Sequence, residues 1–391
     1  MATVVKGSWL LVAAACLVSG FTLRAQSPAL SITLTGQSMI RSDIRVHTPA
    51  AVSTIAPLLK ADVVFTDFEA TIFDARKGQS PRDGRFVAPP EALDALQALG
   101  FNLLALCNNH AWDFKVPGIQ NTLQEASRLN LAHTGTGNTL EEAAAPAYLK
   151  TPKGTVALVA MASGLIDEGG SATATRPGVN ELRVEAGKPN EEDAQRILQS
   201  IRDAGKRADL VIVYEHNHVF DKDFFAIMGE ELPERLAPPD WLKKWTHAEV
   251  DAGADIVVMH GAPLLHGVEI YHGRPIFYDL GNFIFQLPPT TTFLDEPIIW
   301  ESVVATVDFR GKNLQSIKLR PIKQNKIGQG QADTQDTHAN NLYLQTRGLP
   351  APATGEQARY ILERLADASR PFGTTVEVKG DTAEIRLKGG N

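Results

Sequence analysis

The chain has 391 residues, a formal net charge of −7 and 43% hydrophobic residues. This length and apolar content are typical of a globular protein with a sizeable core. No cluster of Lys and Arg occurs along the chain, which argues against nucleic acid as a partner.

The first 25 residues have the pattern of a secretory signal peptide. Lys6 precedes a short apolar run over 9–18, and Ala25 offers a small residue for cleavage. We therefore expect a periplasmic or secreted protein without a transmembrane helix, with an uncleaved membrane anchor as the alternative. After cleavage Cys107 is the only cysteine, so the mature chain has no internal disulfide. The oligomeric state is left open.

Strand-like and helix-like segments then alternate along the chain, which predicts an α/β domain. Strands are predicted over 30–35, 63–66, 101–106, 132–134, 155–161, 210–214 and 255–259. Helices are predicted over 49–60, 90–99, 117–130, 191–204 and 241–251.

The pattern changes after residue 260. Four strands over 267–271, 275–278, 302–309 and 314–321 read as an antiparallel meander. A loop with at most one short helix follows over 323–352, then a helix over 355–369 and a terminal hairpin around Gly380-Asp381. We therefore expect one domain over 30–322 and a C-terminal extension over 323–391.

Polar side chains follow several of the buried strands at the point where each strand ends. These residues are Asp67, Glu69, Asn108, Asn109, His110, His216, His218 and His260. Sites in open α/β sheets form at the carboxyl ends of strands. Carboxylate, amide and imidazole groups are also the ligands of hydrolytic metal sites.

Three runs carry a family resemblance: Thr-Asp-Phe-Glu-Ala-Thr-Ile over 66–72, Asn-Asn-His-Ala-Trp-Asp over 108–113, and the segment 267–285. They resemble the CapA family, which is associated with synthesis of poly-γ-glutamate capsules and is similar to calcineurin-like metallophosphoesterases. The resemblance implies a four-layer α/β/β/α sandwich with mixed sheets. A C-terminal helix and hairpin would extend that sandwich.

The resemblance also implies roles for individual residues. Glu69, Asn109, His216 and His260 would hold a metal, with His110 as the catalytic acid and Asp67 as the general base. The positions that would supply a second metal carry Gln37, Met39 and Pro263, which are poor ligands for hard cations. We therefore expect one divalent ion, Zn, Mn or Fe. A two-metal site stays open because Asp67, His218 or His266 could replace the missing ligands.

Further residues are predicted to contact the substrate: Asn108, Trp112, His218 and His266. Structural alternatives stay open for several positions. The two carboxylates could cap a turn, His216 could lie in a solvated loop, His260 could be a structural histidine, and Trp112 could belong to the core. Cys107 is expected to be a small buried residue rather than a nucleophile.

These features favour a periplasmic metal-dependent hydrolase that acts on an amide, ester or phosphoester bond. The close spacing of Asp67 and Glu69 disfavours highly anionic phosphates. Its partner would be a small molecule or an envelope polymer. The alternative is a non-catalytic or assembly protein that handles a capsule polymer of the poly-γ-glutamate type.

Overall fold

The computed structural model describes residues 1–3, 29–222, 227, 237–288, 292–331 and 341–387. Apart from the first three residues, the predicted signal peptide lies outside these ranges. Among the described helices, none combines the length and the apolar content that crossing a bilayer requires.

The described residues form helices and strands in the alternating order that the sequence predicts. The strands are β1 (Leu30–Leu34), β2 (Gln37–Met39), β3 (Val63–Asp67), β4 (Thr71–Ile72), β5 (Val87–Ala88), β6 (Leu103–Ala105), β7 (Ala132–Thr134), β8 (Thr136–Gly137), β9 (Ala147–Thr151), β10 (Gly154–Ser163), β11 (Gly178–Val179), β12 (Val184–Glu185), β13 (Lys188–Pro189), β14 (Leu210–Asn217), β15 (Ile256–His260), β16 (Val268–Tyr271), β17 (Arg274–Phe277), β18 (Asn282–Phe285), β19 (Glu301–Arg310), β20 (Asn313–Gln324), β21 (Pro350–Pro352), β22 (Val376–Lys379) and β23 (Thr382–Ile385). The helices are α1 (Ile44–His47), α2 (Pro49–Ile55), α3 (Glu91–Leu99), α4 (Lys115–Arg128), α5 (Leu140–Ala144), α6 (Glu191–Gly205), α7 (Asp240–Ala252), α8 (Leu342–Thr346) and α9 (Gly355–Ser369).

Two mixed sheets face each other across the centre of the molecule. The larger has the strand order β22-β23-β20-β19-β1-β3-β6-β7 with β21 on β20, and the smaller has the order β16-β17-β15-β14-β10-β9. Strand β14 shows why both faces are buried: Ile212 and Tyr214 point into the central core, whereas Val211 and Val213 pack in the outer one. This double burial explains the unbroken apolar run of the sequence.

Helices cover the outer face of each sheet. Leu93 and Leu96 of α3 pack with Val64 and Leu104 against the larger sheet, while α6 and α7 pack against the smaller sheet. The expected four-layer α/β/β/α sandwich with mixed sheets is therefore confirmed.

The C-terminal segment joins this sandwich. Ile361, Leu362 and Leu365 of α9 are fully buried in the central core, and β23 pairs with β20 to widen the larger sheet. The predicted helix and hairpin are thus confirmed. The pair β2–β18 was not predicted from the sequence, because three- and four-residue strands leave too short a pattern.

Candidate functional site

Two buried carboxylates lie where β3 ends. Asp67 is the last residue of the strand and Glu69 follows two residues later, with 0% and 3% of their surfaces exposed. Asn108 supports this turn, because its Nδ2 donates to Asp67 Oδ1 at 3.0 Å and to the Phe68 carbonyl at 2.9 Å. Asn108 therefore fixes the carboxylates in place, and does not line the cavity described below.

His216 belongs to the smaller sheet and lies next to these two carboxylates. It lies near the end of β14 and is completely buried. Its Nδ1 lies 3.5 Å from Asp67 Oδ2, and its Nε2 lies 3.7 Å from Glu69 Oε1. One candidate ligand atom from each of these three residues lies within 4.8 Å of the others. The Asn109 Oδ1 atom is 2.9 Å from His216 Nε2, so a fourth candidate ligand adjoins this triad.

The donor set of the triad fits a divalent cation. Glu69 Oε2 is buried and has no hydrogen-bond partner among the described residues. The Asp67 carboxyl is shared with the Tyr214 hydroxyl and lies 3.5 Å from His216 Nδ1. Burial raises the pKa of Asp67 to about 8 and the pKa of Glu69 well above its usual value, with repulsion from Asp67 adding to the latter. Burial also lowers the pKa of His216 to about 3. Two buried carboxyls beside a neutral imidazole lack a positive charge, which a metal ion would supply.

His110 is held at the edge of this group by a carboxylate. Its Nδ1 lies 2.8 Å from Asp113 Oδ2, which also accepts a hydrogen bond from the Phe86 backbone N–H at 2.7 Å. The other ring nitrogen, Nε2, lies 3.9 Å from Glu69 Oε1. Because 24% of the His110 side chain is exposed, this ring can exchange a proton with a molecule in the cavity.

His260 is not part of the triad. It pairs in register with His216 on the neighbouring strand β15, but its Nε2 lies 3.0 Å from the Thr35 carbonyl oxygen. Its ring packs 5.2 Å from the ring of Tyr214. Its Nδ1 is buried and has no hydrogen-bond partner among the described residues, so metal binding by His260 stays a prediction.

The remaining predicted contact residues lie in three different places. His218 lies 4.8 Å from the His216 ring and lines the cavity. His266 instead lines a separate small space of about 10 Å³ beside Asp279. Trp112 belongs to the central core and is 5% exposed.

A cavity of about 620 Å³ opens above the triad. Glu69, Asn109, His110 and His218 line one wall of it, and we call this the metal wall. A neighbouring group of lining residues, which we call the amide wall, consists of Gln37, Met39, Pro263, Phe285 and Leu287. It adjoins the metal wall, because the Glu69 backbone N–H donates to the Ser38 carbonyl at 3.1 Å. The three residues that replace metal ligands in the sequence therefore line the same cavity as Glu69.

Other functional candidates were missed by sequence reasoning. Arg85 lies 3.3 Å from Asp113 and also forms an ion pair with Asp167 at the cavity rim. The rim segment 165–168 follows β10 after Gly164, and no polar motif marks it in the sequence. The His110–Asp113 pair did have a signal, since residues three apart in one turn meet.

Cys107 does not take part in this chemistry. It is fully buried, and burial together with the nearby Asp67 charge raises the pKa of its thiol well above the usual value. It therefore stays a neutral thiol, as expected for a small residue at a strand end.

The chain is similar to a known protein family and to several of its relatives. The family model "Bacterial capsule synthesis protein PGA_cap" matches residues 31–287. The uncharacterized protein y4sH of Sinorhizobium fredii is 29% identical over 95% of this chain and 94% of its own length. The PGA biosynthesis protein CapA of Bacillus subtilis is 30% identical over 61% of this chain and 57% of its own length.

Among solved structures, a phosphatase from Mycoplasma pneumoniae aligns with 75% of this chain and 94% of its own, at 10% identity and a TM-score of 0.44. The family model, by contrast, covers well over half of the chain, including β3, β14 and β15. The resemblance drawn from the three sequence runs is thereby confirmed, and the chain belongs to the bacterial capsule synthesis family PGA_cap.

Proposed function

We propose that this protein is a metal-dependent hydrolase with one divalent cation, Zn, Mn or Fe, that works outside the cytoplasmic membrane. The observation that carries the proposal is the buried triad of Asp67, Glu69 and His216, in which Glu69 Oε2 has no hydrogen-bond partner among the described residues. Two oxygens and one imidazole nitrogen suit these metals. The pattern at the N-terminus supports the location.

Asp67, Glu69 and His216 would hold the ion, and Asn109 is placed to add its amide oxygen. This gives Asp67 a ligand role in place of the general base expected from the sequence. It leaves His260 to support Tyr214 and the Thr35 backbone. At this place the ligands would hold a Lewis acid, which would supply polarisation of a substrate oxygen and activation of water near neutral pH.

His110 would move the proton of the reaction. Asp113 and the Phe86 backbone fix the ring through Nδ1, so that Nε2 is the nitrogen available at the metal wall. A histidine held in one tautomer in this way can donate a proton to a leaving group. Arg85 holds the other Asp113 oxygen and so keeps the carboxylate in place.

The charged residues that line the cavity affect which substrate can bind there and so which bond is cleaved. Glu69, Asp113, Asp167 and Glu168 line it together with one guanidinium, that of Arg85. One divalent ion offsets only the charge of Asp67 and Glu69, so a dianionic phosphate would meet further negative charge. We therefore favour an amide or ester over a phosphoester. The relatives named for capsule or PGA biosynthesis support an envelope polymer or a fragment of one as the substrate.

A second candidate function is polymer binding or assembly without catalysis. The amide wall favours it, because Gln37, Met39 and Pro263 offer poor metal ligands where catalysis with two metals would need good ones.

An activity screen distinguishes the two functions. Amide, ester and phosphoester substrates are offered to protein that has been stripped by a chelator and then reloaded with Zn, Mn or Fe. Hydrolysis that disappears on chelation and returns on reloading supports the hydrolase. Hydrolysis that survives chelation contradicts it, and saturable polymer binding with no turnover under any metal supports the second candidate.

A further inference from the structure

The Tyr214 hydroxyl contacts two residues of the triad. Tyr214 and His216 are two residues apart on β14, so their side chains lie on the same face of the strand. Both residues are completely buried. The Tyr214 hydroxyl oxygen, Oη, lies 3.1 Å from His216 Nδ1, and the Asp67 carboxyl is hydrogen-bonded to the same hydroxyl. Tyr214 therefore connects the metal-ligand candidates of β3 and β14.

Packing holds the Tyr214 ring in this place. The ring lies 5.5 Å from the Phe65 ring of β3 and 5.2 Å from the His260 ring of β15. Its neighbour in register on β10 is Ala160, whose small side chain leaves room for the ring. Because neighbours on three strands surround the ring, the hydroxyl stays beside the triad.

The protons of these groups give the hydrogen bonds a direction once Asp67 is ionised, as a metal ligand must be. A carboxylate can only accept, and a tyrosine hydroxyl has one proton to donate. Tyr214 therefore donates to Asp67 and presents an oxygen lone pair to His216 Nδ1. The Nδ1 atom is 3.5 Å from Asp67 Oδ2, which is too long for a good direct hydrogen bond. The hydroxyl is thus the better partner for a proton on Nδ1.

The other ring nitrogen of His216 faces the remaining ligand candidates. Nε2 lies 2.9 Å from Asn109 Oδ1 and 3.7 Å from Glu69 Oε1. A neutral imidazole carries one N–H, so a proton on Nδ1 leaves the lone pair on Nε2. The competing arrangement donates Nε2–H to Asn109 Oδ1, and it would leave no lone pair at Nε2 for a cation.

We propose that Tyr214 is a positioning residue of the metal site. Its hydroxyl accepts a hydrogen bond from His216 Nδ1–H and donates one to Asp67, so that His216 offers Nε2 to the cation. This inference rests on the proposed function, because it concerns the ion that the hydrolase would use. Partners of this kind orient imidazole ligands, and their loss typically lowers metal affinity by about 10- to 100-fold.

Tyr214→Phe tests the proposal, because it removes the hydroxyl and keeps the ring. We expect its affinity for Zn, measured by competition with a fluorescent chelator, to fall by at least about tenfold. Tyr278→Phe is the matched control. Tyr278 is also buried, and its hydroxyl donates to Glu269 Oε2 at 2.6 Å, outside the triad. Zn affinity should stay unchanged in this control.

Urea unfolding of both variants without metal separates a structural role from a positioning role. Loss of one hydroxyl that only supports the fold would lower the unfolding midpoint and leave Zn affinity unchanged. Equal Zn affinities in Tyr214→Phe and in Tyr278→Phe would therefore overturn the proposal.

Nitrogen NMR of the Zn-loaded wild type, labelled with ¹⁵N-histidine, tests the same point without relying on Tyr214→Phe. Signals that disappear in His216→Gln are assigned to His216. We expect a proton on Nδ1 and Zn on Nε2, and Zn on Nδ1 or a proton on Nε2 would overturn the proposal.

The outcomes keep this inference apart from the proposed function. If Zn binds through Nε2 and Tyr214→Phe weakens it, but no substrate is hydrolysed, the positioning role stands and the hydrolase fails. If hydrolysis depends on metal while Tyr214→Phe binds Zn as tightly as the wild type, the hydrolase stands and the positioning role fails. A wild type that binds no metal overturns both.

Discussion

The two walls of the cavity are both built at strand ends, but they carry different kinds of side chains. The metal wall is built from the segments that follow β3, β6 and β14, lies against the triad, and carries a carboxylate, an amide and two imidazoles. The amide wall is built largely on the small parallel pair β2–β18 and carries a neutral amide, a thioether and apolar groups. Since both walls face one space, the fold holds one charged group of ligands and one neutral surface. Changes on the first should alter metal binding and rate, and changes on the second should alter substrate preference.

The largest effect is expected for Glu69→Gln, which keeps the side-chain volume and removes a ligand charge. Loss of a residue that only supports a metal ligand lowers metal affinity by about 10- to 100-fold, so loss of the ligand itself should exceed that range. Competition with a fluorescent chelator measures the affinity. Glu168→Gln is the matched control, because it removes the same charge from the rim of the cavity. Equal affinities in the two variants would contradict the assignment of Glu69.

The second effect is expected for His110→Ala. Removal of a general acid lowers turnover by about 10²- to 10⁴-fold, while the metal should stay bound because His110 lies outside the triad. Asp113→Asn should lower turnover less and leave metal content unchanged, since it disturbs only the orientation of the ring. Turnover and elemental analysis are measured on the same samples. Loss of metal from His110→Ala would place His110 among the ligands.

The third effect is a fall in the free energy of unfolding of the metal-free protein as the pH rises. Burial raises the pKa of Asp67 to about 8, so folding favours its protonated form and the free energy of unfolding falls as pH rises toward 8. Buried His216, with a pKa of about 3, acts in the opposite direction below its ordinary value of 6.5. The loss from Asp67 should therefore be visible between pH 6.5 and 8, at about 1 kcal/mol per pH unit.

Urea unfolding of chelated protein at pH 6.5, 7.25 and 8 measures this slope. In Asp67→Asn the slope should be smaller than in the wild type, and metal loading should flatten it in the wild type because the ion favours the carboxylate. An unchanged slope in Asp67→Asn would show that other groups, such as the buried Glu215 with its pKa raised by burial to about 7, cause all of it.

The smallest effect is expected on the amide wall. Gln37→Leu removes the donor to Asn282 Oδ1, which should lower the free energy of unfolding by about 1 kcal/mol. Metal affinity should not change. Met39→Leu conserves volume and should cost less than about 1.5 kcal/mol. Thermal unfolding and chelator competition measure both variants, and a loss of metal in Gln37→Leu would mean that the two walls are not independent.

The sequence was sufficient for the architecture and for much of the metal wall. Long apolar runs placed β3, β6, β14 and β15, and the polar residues after them met as expected because strand ends converge at one edge of a sheet. The position of Cys107 at the end of an apolar run was enough to predict that it is a small buried residue and not a nucleophile. The family resemblance, and not the residue pattern, supplied the four-layer sandwich.

The sequence was less informative where contacts join distant segments through short elements. Neither the β2–β18 pair nor the hydrogen bonds that join Gln37 to Asn282 and Asn282 to the Ile299 carbonyl have a periodic pattern. His260 shows a different limit. The sequence places it at a strand end, as it does His216, but the direction of its ring toward the Thr35 carbonyl depends on packing against Tyr214.

The number of metal ions per chain tests the difference between the walls most directly. The protein is loaded with excess Zn, Mn or Fe, desalted and analysed for bound metal against protein concentration. We predict one ion per chain in the wild type and none in the double variant Asp67→Asn, Glu69→Gln. Two ions per chain, or an ion retained in the double variant, would contradict a single metal site held by the triad.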